Sequence, residues 1–149
     1  MKKKISILLT ALLLFSLFSI SASAEQQDIL LSRTVEVLEN GDTIVTELYQ
    51  SVVQPRTGAS GHKTAKYYNS DGTAIWDVTV DGTFTYNSVT ATATSAKATV
   101  NLYSNKASFI SKNAYTSGNT ATATGTVAYS TVSTTRSVSV SCDKYGVLY

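Results

Sequence analysis

The only histidine and the only cysteine of the chain are the first residues to consider for chemistry. An imidazole can act as a general base or metal ligand and a thiolate as a nucleophile, but each needs a suitable partner nearby. His62 stands in a segment rich in glycine and serine with no other metal-ligating side chain, so we interpret it as a solvated loop residue. Cys142 alternates with Val138 and Val140, which predicts a buried thiol, and no second cysteine exists to form an intrachain disulfide.

Paired carboxylates are the next candidates, because two such groups can serve as general acid and general base. The pairs are Asp77 with Asp81 and Glu36 with Glu47. Asp77 and Asp81 fall on the predicted outward face of one strand, where charges commonly prevent strands from pairing with other chains. No segment has the ligand spacing of a calcium loop, a glycine-rich phosphate loop or a Gly-x-Ser-x-Gly motif. We therefore predict no catalytic residue, no cofactor and no metal ligand.

Tyrosine is unusually frequent, with nine in the chain, and points to binding rather than catalysis. Exposed aromatic rings provide stacking surfaces and are common at contact sites. Tyr67 and Tyr68 are consecutive, so in a strand they must point to opposite faces and one of them is expected to be exposed. Tyr103 and Tyr115 lie near predicted strand ends. The candidate partner-contact residues are therefore Tyr67, Tyr68, Tyr103 and Tyr115.

The elements that must position these residues are β-strands. Apolar and hydroxyl side chains alternate along the chain, as in residues 89–94 (VTATAT), and no helical stripe occurs after residue 24. Trp76, Phe84 and Tyr86 share a face with Val78 and Val80, which predicts a core. About eight to ten short strands separated by turn signals predict an all-β, antiparallel, immunoglobulin-like sandwich, with a small closed β-barrel as the alternative.

Turn residues divide the predicted strands into segments. Asn40-Gly41 predicts a two-residue hairpin loop that places Val37 opposite Ile44 and Val35 opposite Thr46. Asp81-Gly82 is interpreted as a bend within one long strand, with a second turn as the alternative. The predicted organisation is a hairpin segment at residues 25–53, a linker or loop at 54–62 and a sandwich domain at 63–149.

Residues 1–24 have the pattern of an export signal. Three lysines precede an apolar stretch, and Ala22-Ser23-Ala24 predicts signal-peptide cleavage after Ala24. Removing this segment leaves nine basic and ten acidic side chains, so the formal charge falls from +2 to −1. A mature chain near neutrality lacks the basic surface that nucleic acids require, and no later apolar run is long enough to span a membrane. We expect a secreted, extracellular protein.

Several segments together resemble a group of small secreted proteins from Gram-positive, largely clostridial-type bacteria. The matching segments are residues 35–46 (VEVLENGDTIVT), 62–69 (HKTAKYYN), 72–76 (GTAIW), 82–87 (GTFTYN), 117–122 (SGNTAT) and 138–142 (VSVSC). Similar sequences often hold a cysteine near Ala93. The resemblance implies that this cysteine bonds the one at the position of Cys142, which would put the two Cα atoms about 4.4–6.8 Å apart. The matching motifs are structural, so no functional residue is carried over.

These observations favour a secreted, non-enzymatic β-sandwich that acts by surface contact with the cell envelope, a glycan or a protein partner. A secreted hydrolase and a secreted antagonist or toxin-like protein are the alternatives. A cleft with two carboxylates about 5–10 Å apart would favour the hydrolase. An exposed patch of several tyrosines would favour binding.

Overall fold

The computed structural model describes residues 28–52 and 57–149. The predicted signal peptide and the first residues of the predicted linker therefore lie outside the described residues. Within them the fold contains eight antiparallel strands and no helix. The strands are β1 (Asp28–Val37), β2 (Thr43–Ser51), β3 (Gly58–Tyr68), β4 (Ala74–Tyr86), β5 (Ala91–Leu102), β6 (Ala107–Ser117), β7 (Thr120–Tyr129) and β8 (Val132–Ser141).

The strands form a five-stranded sheet in the order β1-β2-β3-β4-β5 and a three-stranded sheet in the order β6-β7-β8. The predicted sandwich is thus confirmed, with two separate sheets in place of one closed barrel. Within each sheet every strand pairs with its neighbours in the chain, so the connectivity is a meander and not the Greek key of immunoglobulin domains. β7 and β8 pack over β3, β4 and β5, whereas β1 lies beyond the edge of the smaller sheet.

The core lies between the sheets and follows the predicted alternation. Trp76, Val78 and Phe84 of β4 are buried against Val138 and other small apolar residues of the second sheet. β4 continues through Asp81-Gly82 as one strand, as predicted. Tyr86 is only half-buried and packs at the margin of this core.

A glycine sets how closely the two sheets approach. A Cβ atom on Gly125 of β7 would lie 2.8 Å from Val100 Cγ2 and 3.1 Å from Val78 Cγ2. These separations are shorter than ordinary carbon contacts, so any side chain here would push the sheets apart. The missing side chain lets β7 lie directly over β4 and β5.

The predicted two-residue loop of the first hairpin is wrong. The N–H of Leu38 bonds the carbonyl of Asp42 at 2.8 Å, and the N–H of Gly41 bonds the carbonyl of Leu38 at 2.9 Å. These bonds close a three-residue loop in which Gly41 adopts a φ of +83° while Asn40 does not adopt a positive φ. The side chain of Asn40 also accepts a bond from the N–H of Asp42 and donates one to its carboxylate, which favours the longer loop.

The longer loop shifts the β1–β2 register by one residue. Val37 pairs with Thr43, and Val35 pairs with Val45 instead of Thr46. Ile44 therefore points into the core while Val35 and Val37 stay exposed. All ten residues of β1 are exposed, so this edge strand contributes no buried side chain.

The predicted linker at 54–62 is wrong for residues 58–62, which begin β3. β2 pairs with this strand from Gln50 to Thr43, so the first hairpin belongs to the five-stranded sheet and is not a separate segment. The small residues that suggested a linker are needed here because neighbouring strands and side chains pack closely against them. A Cβ on Gly61 would collide with the backbone carbonyl of Tyr49 and lie 2.5 Å from Leu148 Cδ1.

Threonine and serine on the outer face of the three-stranded sheet form a hydroxyl ladder between β7 and β8. Four consecutive cross-strand pairs share hydrogen bonds of 2.7–2.9 Å. Such pairs stabilise neighbouring strands and explain much of the hydroxyl-rich composition. The pairs are Thr120 with Ser141, Thr122 with Ser139, Thr124 with Ser137 and Thr126 with Thr135.

Cys142 is fully buried just after β8, which confirms the predicted core thiol. Burial raises the pKa of this thiol, and the nearby charge of Asp143 raises it further. The N–H of Cys142 bonds the carbonyl of Asn119 at 3.0 Å, and the N–H of Ala93 bonds the carbonyl of the adjacent Gly118 at 2.8 Å. Ala93 and Cys142 therefore flank the same turn.

Candidate functional site

The five-stranded sheet has one face covered by the smaller sheet and one open face. On β3 the two-residue alternation sends Tyr67 to the covered side and Lys66 and Tyr68 to the open side. The strand register then aligns Lys66 of β3, Asp77 of β4 and Asn101 of β5 in one row across the sheet. Sequence alternation fixes the face, and the register brings the three side chains together.

The Lys66 cluster consists of Lys66, Tyr68, Asp77, Asn101 and Tyr103, at the end of this row. The Lys66 ammonium lies 4.2 Å from the ring centre of Tyr103 and 5.8 Å from that of Tyr68. Both distances lie in the range of cation–aromatic attraction. Tyr103 is 48% exposed and Tyr68 is half-exposed, so the cation and both rings reach the surface together.

Asp77 lies beneath the Lys66 cluster and is only 4% exposed. Its carboxylate accepts hydrogen bonds from the Tyr103 hydroxyl at 2.5 Å and from the Asn101 amide at 3.0 Å. The interpretation of Asp77 as an exposed, strand-protecting charge is therefore wrong, because residues of β5 and the following loop cover it. Asp81, the other half of that predicted pair, is exposed.

The bond to Asp77 determines the chemistry of Tyr103. This hydrogen bond, together with burial and the negative charge of Asp77, raises the pKa of Tyr103 to about 12. The phenol therefore stays protonated at neutral pH and donates to a fixed acceptor. Such a group positions a ring and does not supply a nucleophile or base. The loop is also held through the backbone, since the N–H of Tyr103 bonds the carbonyl of Ile75 at 2.9 Å.

The structure brings together only two of the four tyrosines named as contact candidates. Tyr68 and Tyr103 both belong to the Lys66 cluster. Tyr67 is 8% exposed and stacks on Trp76 with ring centres 4.5 Å apart, so it is not on the open face. Tyr115 is 53% exposed, but it lies on β6 of the other sheet, opposite Thr122 of the hydroxyl ladder.

The sequence analysis missed Lys66 and Asn101 as members of the site. One signal was available for Lys66, because a residue two positions before Tyr68 in a strand shares its face. Asn101 had no comparable signal, since its place beside Asp77 depends on the β4–β5 register.

His62 is a half-buried strand residue, so its interpretation as a solvated loop side chain is wrong. Its ring stacks on Tyr49 with centres 4.9 Å apart, and Nδ1 lies 3.5 Å from a carboxylate oxygen of Asp28. The hydroxyl of Ser51 donates to the other oxygen of Asp28 at 2.9 Å. A serine nucleophile would need its hydroxyl on the imidazole, whereas here it bonds the carboxylate.

Metal-binding and membrane-spanning features can be assessed for residues 28–52 and 57–149. This part of the chain holds no group of three histidine, cysteine, aspartate or glutamate side chains arranged to bind a metal ion. The same part contains no helix with the length and apolar character needed to cross a membrane.

No protein-family model matches the chain, and no curated protein or solved structure is significantly similar to it.

Proposed function

We propose that this protein is a secreted, non-enzymatic binding protein whose Lys66 cluster contacts an extracellular glycan. The observation that supports this proposal most directly is the position of the Lys66 ammonium, which lies between the rings of Tyr68 and Tyr103 on an uncovered sheet face. Aromatic rings stack on the apolar faces of sugars, and an ammonium donates hydrogen bonds to sugar hydroxyl or carboxyl oxygens. The two kinds of contact lie side by side here.

The fixed geometry beneath the cluster supports this function. Asp77 accepts the hydrogen bond of the Tyr103 hydroxyl from below and is itself held by the Asn101 amide, so the ring is oriented before any partner arrives. A ring that is already ordered loses less conformational entropy on binding than a freely rotating one. The cluster is therefore suited to recognition and not to acid–base chemistry.

The surroundings of the cluster favour a glycan over a protein partner. Thr64 and Thr79 share a hydroxyl bond of 2.7 Å near the middle of the open face. Stable protein interfaces have an apolar centre, whereas this face is dominated by hydroxyl and charged side chains. Polar side chains beside ordered rings match the alternating polar and apolar surface of a sugar chain.

Binding to a panel of insoluble and arrayed polysaccharides tests the proposal. Replacing both Tyr68 and Tyr103 with alanine should weaken binding by about tenfold, because each ring pair contributes about 0.5–1.5 kcal/mol. Lys66→Gln should also weaken binding. Tyr115→Ala is the matched control, because Tyr115 is equally exposed on the opposite sheet. If Tyr115→Ala weakens binding as much as the double replacement does, or if the protein binds no polysaccharide, the glycan assignment is contradicted.

Secretion is tested separately by fractionating the producing cells. The export pattern of residues 1–24 supports a mature protein in the medium or at the cell wall that begins at Glu25. Amino-terminal sequencing of the isolated protein checks the cleavage position. An intact chain found only in the cytoplasm would contradict this part of the proposal.

A further inference from the structure

A groove opens at one end of the sandwich, between the two sheets. The β1–β2 turn, including Leu38, forms one side, and the β7–β8 turn, including Val132, forms the other. Its volume is about 510 Å³, which lies within the usual range of small-molecule sites. It is separate from the Lys66 cluster, because consecutive residues of β3 point to opposite faces of the sheet.

The floor of the groove is largely apolar. Tyr67 and Trp76 stack there with an interplanar angle of 12°, and Ile44 and Ile75 lie beside them. All four side chains are buried, and Trp76 is only 2% exposed. Such a floor suits an apolar body a few atoms across.

Two polar atoms of this floor have no partner among the described residues. Neither the indole N–H of Trp76 nor the hydroxyl of Tyr67 makes a hydrogen bond there. Across the same residues, every fully enclosed side-chain nitrogen or oxygen has a partner. The two unpartnered atoms are therefore not fully enclosed, and both residues line the groove. Each atom can donate a hydrogen bond to a ligand that enters it.

Arg136 supplies a positive charge on the wall of the groove. Alternation along β8 places it on the same side as Val138 and Val140, so its side chain points between the sheets. Its guanidinium bonds Glu36 at 3.0 Å and retains further N–H donors. Burial raises the pKa of Tyr67, while the charge of Arg136 lowers it and that of Glu36 raises it, so both charges lie near the phenol.

We propose that this groove binds a small ligand with an apolar body and one carboxylate. The carboxylate accepts hydrogen bonds from Arg136 and Tyr67, and the apolar body lies on the Tyr67–Trp76 pair. An acceptor on the ligand also takes the indole N–H. A single negative charge fits better than a phosphate dianion, because Glu36 already neutralises Arg136 and Asp42 lies at the rim.

The lone tryptophan provides the readout for a direct test. The purified ¹⁵N-labelled protein gives one indole N–H signal, which is followed during titration with 3-phenylpropionate, cyclohexanecarboxylate and the neutral 3-phenylpropanamide. The two carboxylates should shift this signal with saturation, and the amide should bind at least tenfold more weakly. Equal binding of the amide would overturn the carboxylate assignment. No shift with any probe at millimolar concentration would overturn the site.

Two variants act in opposite directions and separate ligand binding from folding. Arg136→Gln should weaken carboxylate binding about tenfold, because it removes charged hydrogen bonds. Glu36→Gln should tighten binding severalfold, because it frees the guanidinium, and Glu47→Gln on the open face is its control. A loss of folded structure cannot produce the gain expected for Glu36→Gln. If Glu36→Gln fails to tighten binding, the proposed role of Arg136 is wrong.

Discussion

The hydroxyl of Tyr103 donates a 2.5 Å hydrogen bond to the buried carboxylate of Asp77, which ties the loop after β5 to the first part of β4. A carboxylate that loses water on burial must recover its hydrogen bonds from the protein. Tyr103 and Asn101 supply them, and one consequence is that Tyr103 presents its ring beside Lys66 in a fixed orientation. A structural bond thereby determines the shape of the proposed contact surface.

Replacing Tyr103 with phenylalanine should destabilise the protein by about 1–3 kcal/mol. The substitution keeps the ring but leaves the buried Asp77 with one donor fewer. Urea unfolding at pH 7 measures the change, and Tyr115→Phe on the exposed surface of β6 is the control. Equal stability of Tyr103→Phe and the parent protein would mean that water replaces the phenol at no cost.

The same bond predicts that the free energy of unfolding depends on pH above pH 10. The pKa of Tyr103 is raised from 10.0 to about 12, so the folded state holds this proton more tightly than the unfolded chain. The stabilisation is therefore complete below about pH 10 and is lost as the pH rises towards 12. Unfolding free energy measured across this range should fall more steeply in the parent protein than in Tyr103→Phe. Parallel curves would contradict the raised pKa.

Replacing Gly125 with alanine should destabilise the sandwich by about 1–3 kcal/mol. The new methyl group would overlap Val100 and Val78 and force the sheets apart. Thermal and urea unfolding measure the loss. Adding Val100→Ala should recover part of the stability, because it removes the closest methyl group. If the double variant loses more stability than the two single variants lose together, steric overlap is not the cause.

Replacing Ala93 with cysteine should produce a disulfide with Cys142. Both positions are buried and flank the Gly118-Asn119 turn, and the family resemblance noted for the sequence would place a disulfide here. Closing a loop of about 50 residues should add about 4 kcal/mol when the geometry is unstrained. Mass spectrometry under oxidising conditions counts the free thiols, and urea unfolding with and without reductant measures the gain. If both thiols stay free under oxidising conditions, positions 93 and 142 are too far apart to form a disulfide.

The sequence predicted the fold where alternation was strict. The parity of Trp76, Val78 and Phe84 identified the core face because strand side chains alternate without exception over that segment. Loop length was harder to predict, since Asn40-Gly41 suits both a two-residue and a three-residue loop, and the choice moves every partner in the hairpin. Gly61 and its neighbours resembled a linker because the close contacts that require small residues come from other strands.

The site could be predicted only in part, for a similar reason. Sequence pattern selected tyrosine as the contact residue and separated Tyr67 from Tyr68 by face. It could not specify that Tyr68 is on the open side or that Asp77 is covered, because both depend on how β4, β5 and the following loop align. The donors in the groove, such as Arg136, depend on the packing of two sheets that are far apart in sequence.

The ladder of paired hydroxyls on β7 and β8 has a consequence for the conditions this protein can tolerate. Hydrogen bonds between neutral groups are not screened by dissolved salt, unlike the exposed ion pairs Arg33–Glu47 within the five-stranded sheet and Arg136–Glu36 between the two sheets. The hydroxyl hydrogen bonds between β7 and β8 should be equally strong at low and at high salt concentration. The hydroxyl ladder is thus insulated from changes in the ionic strength around the protein.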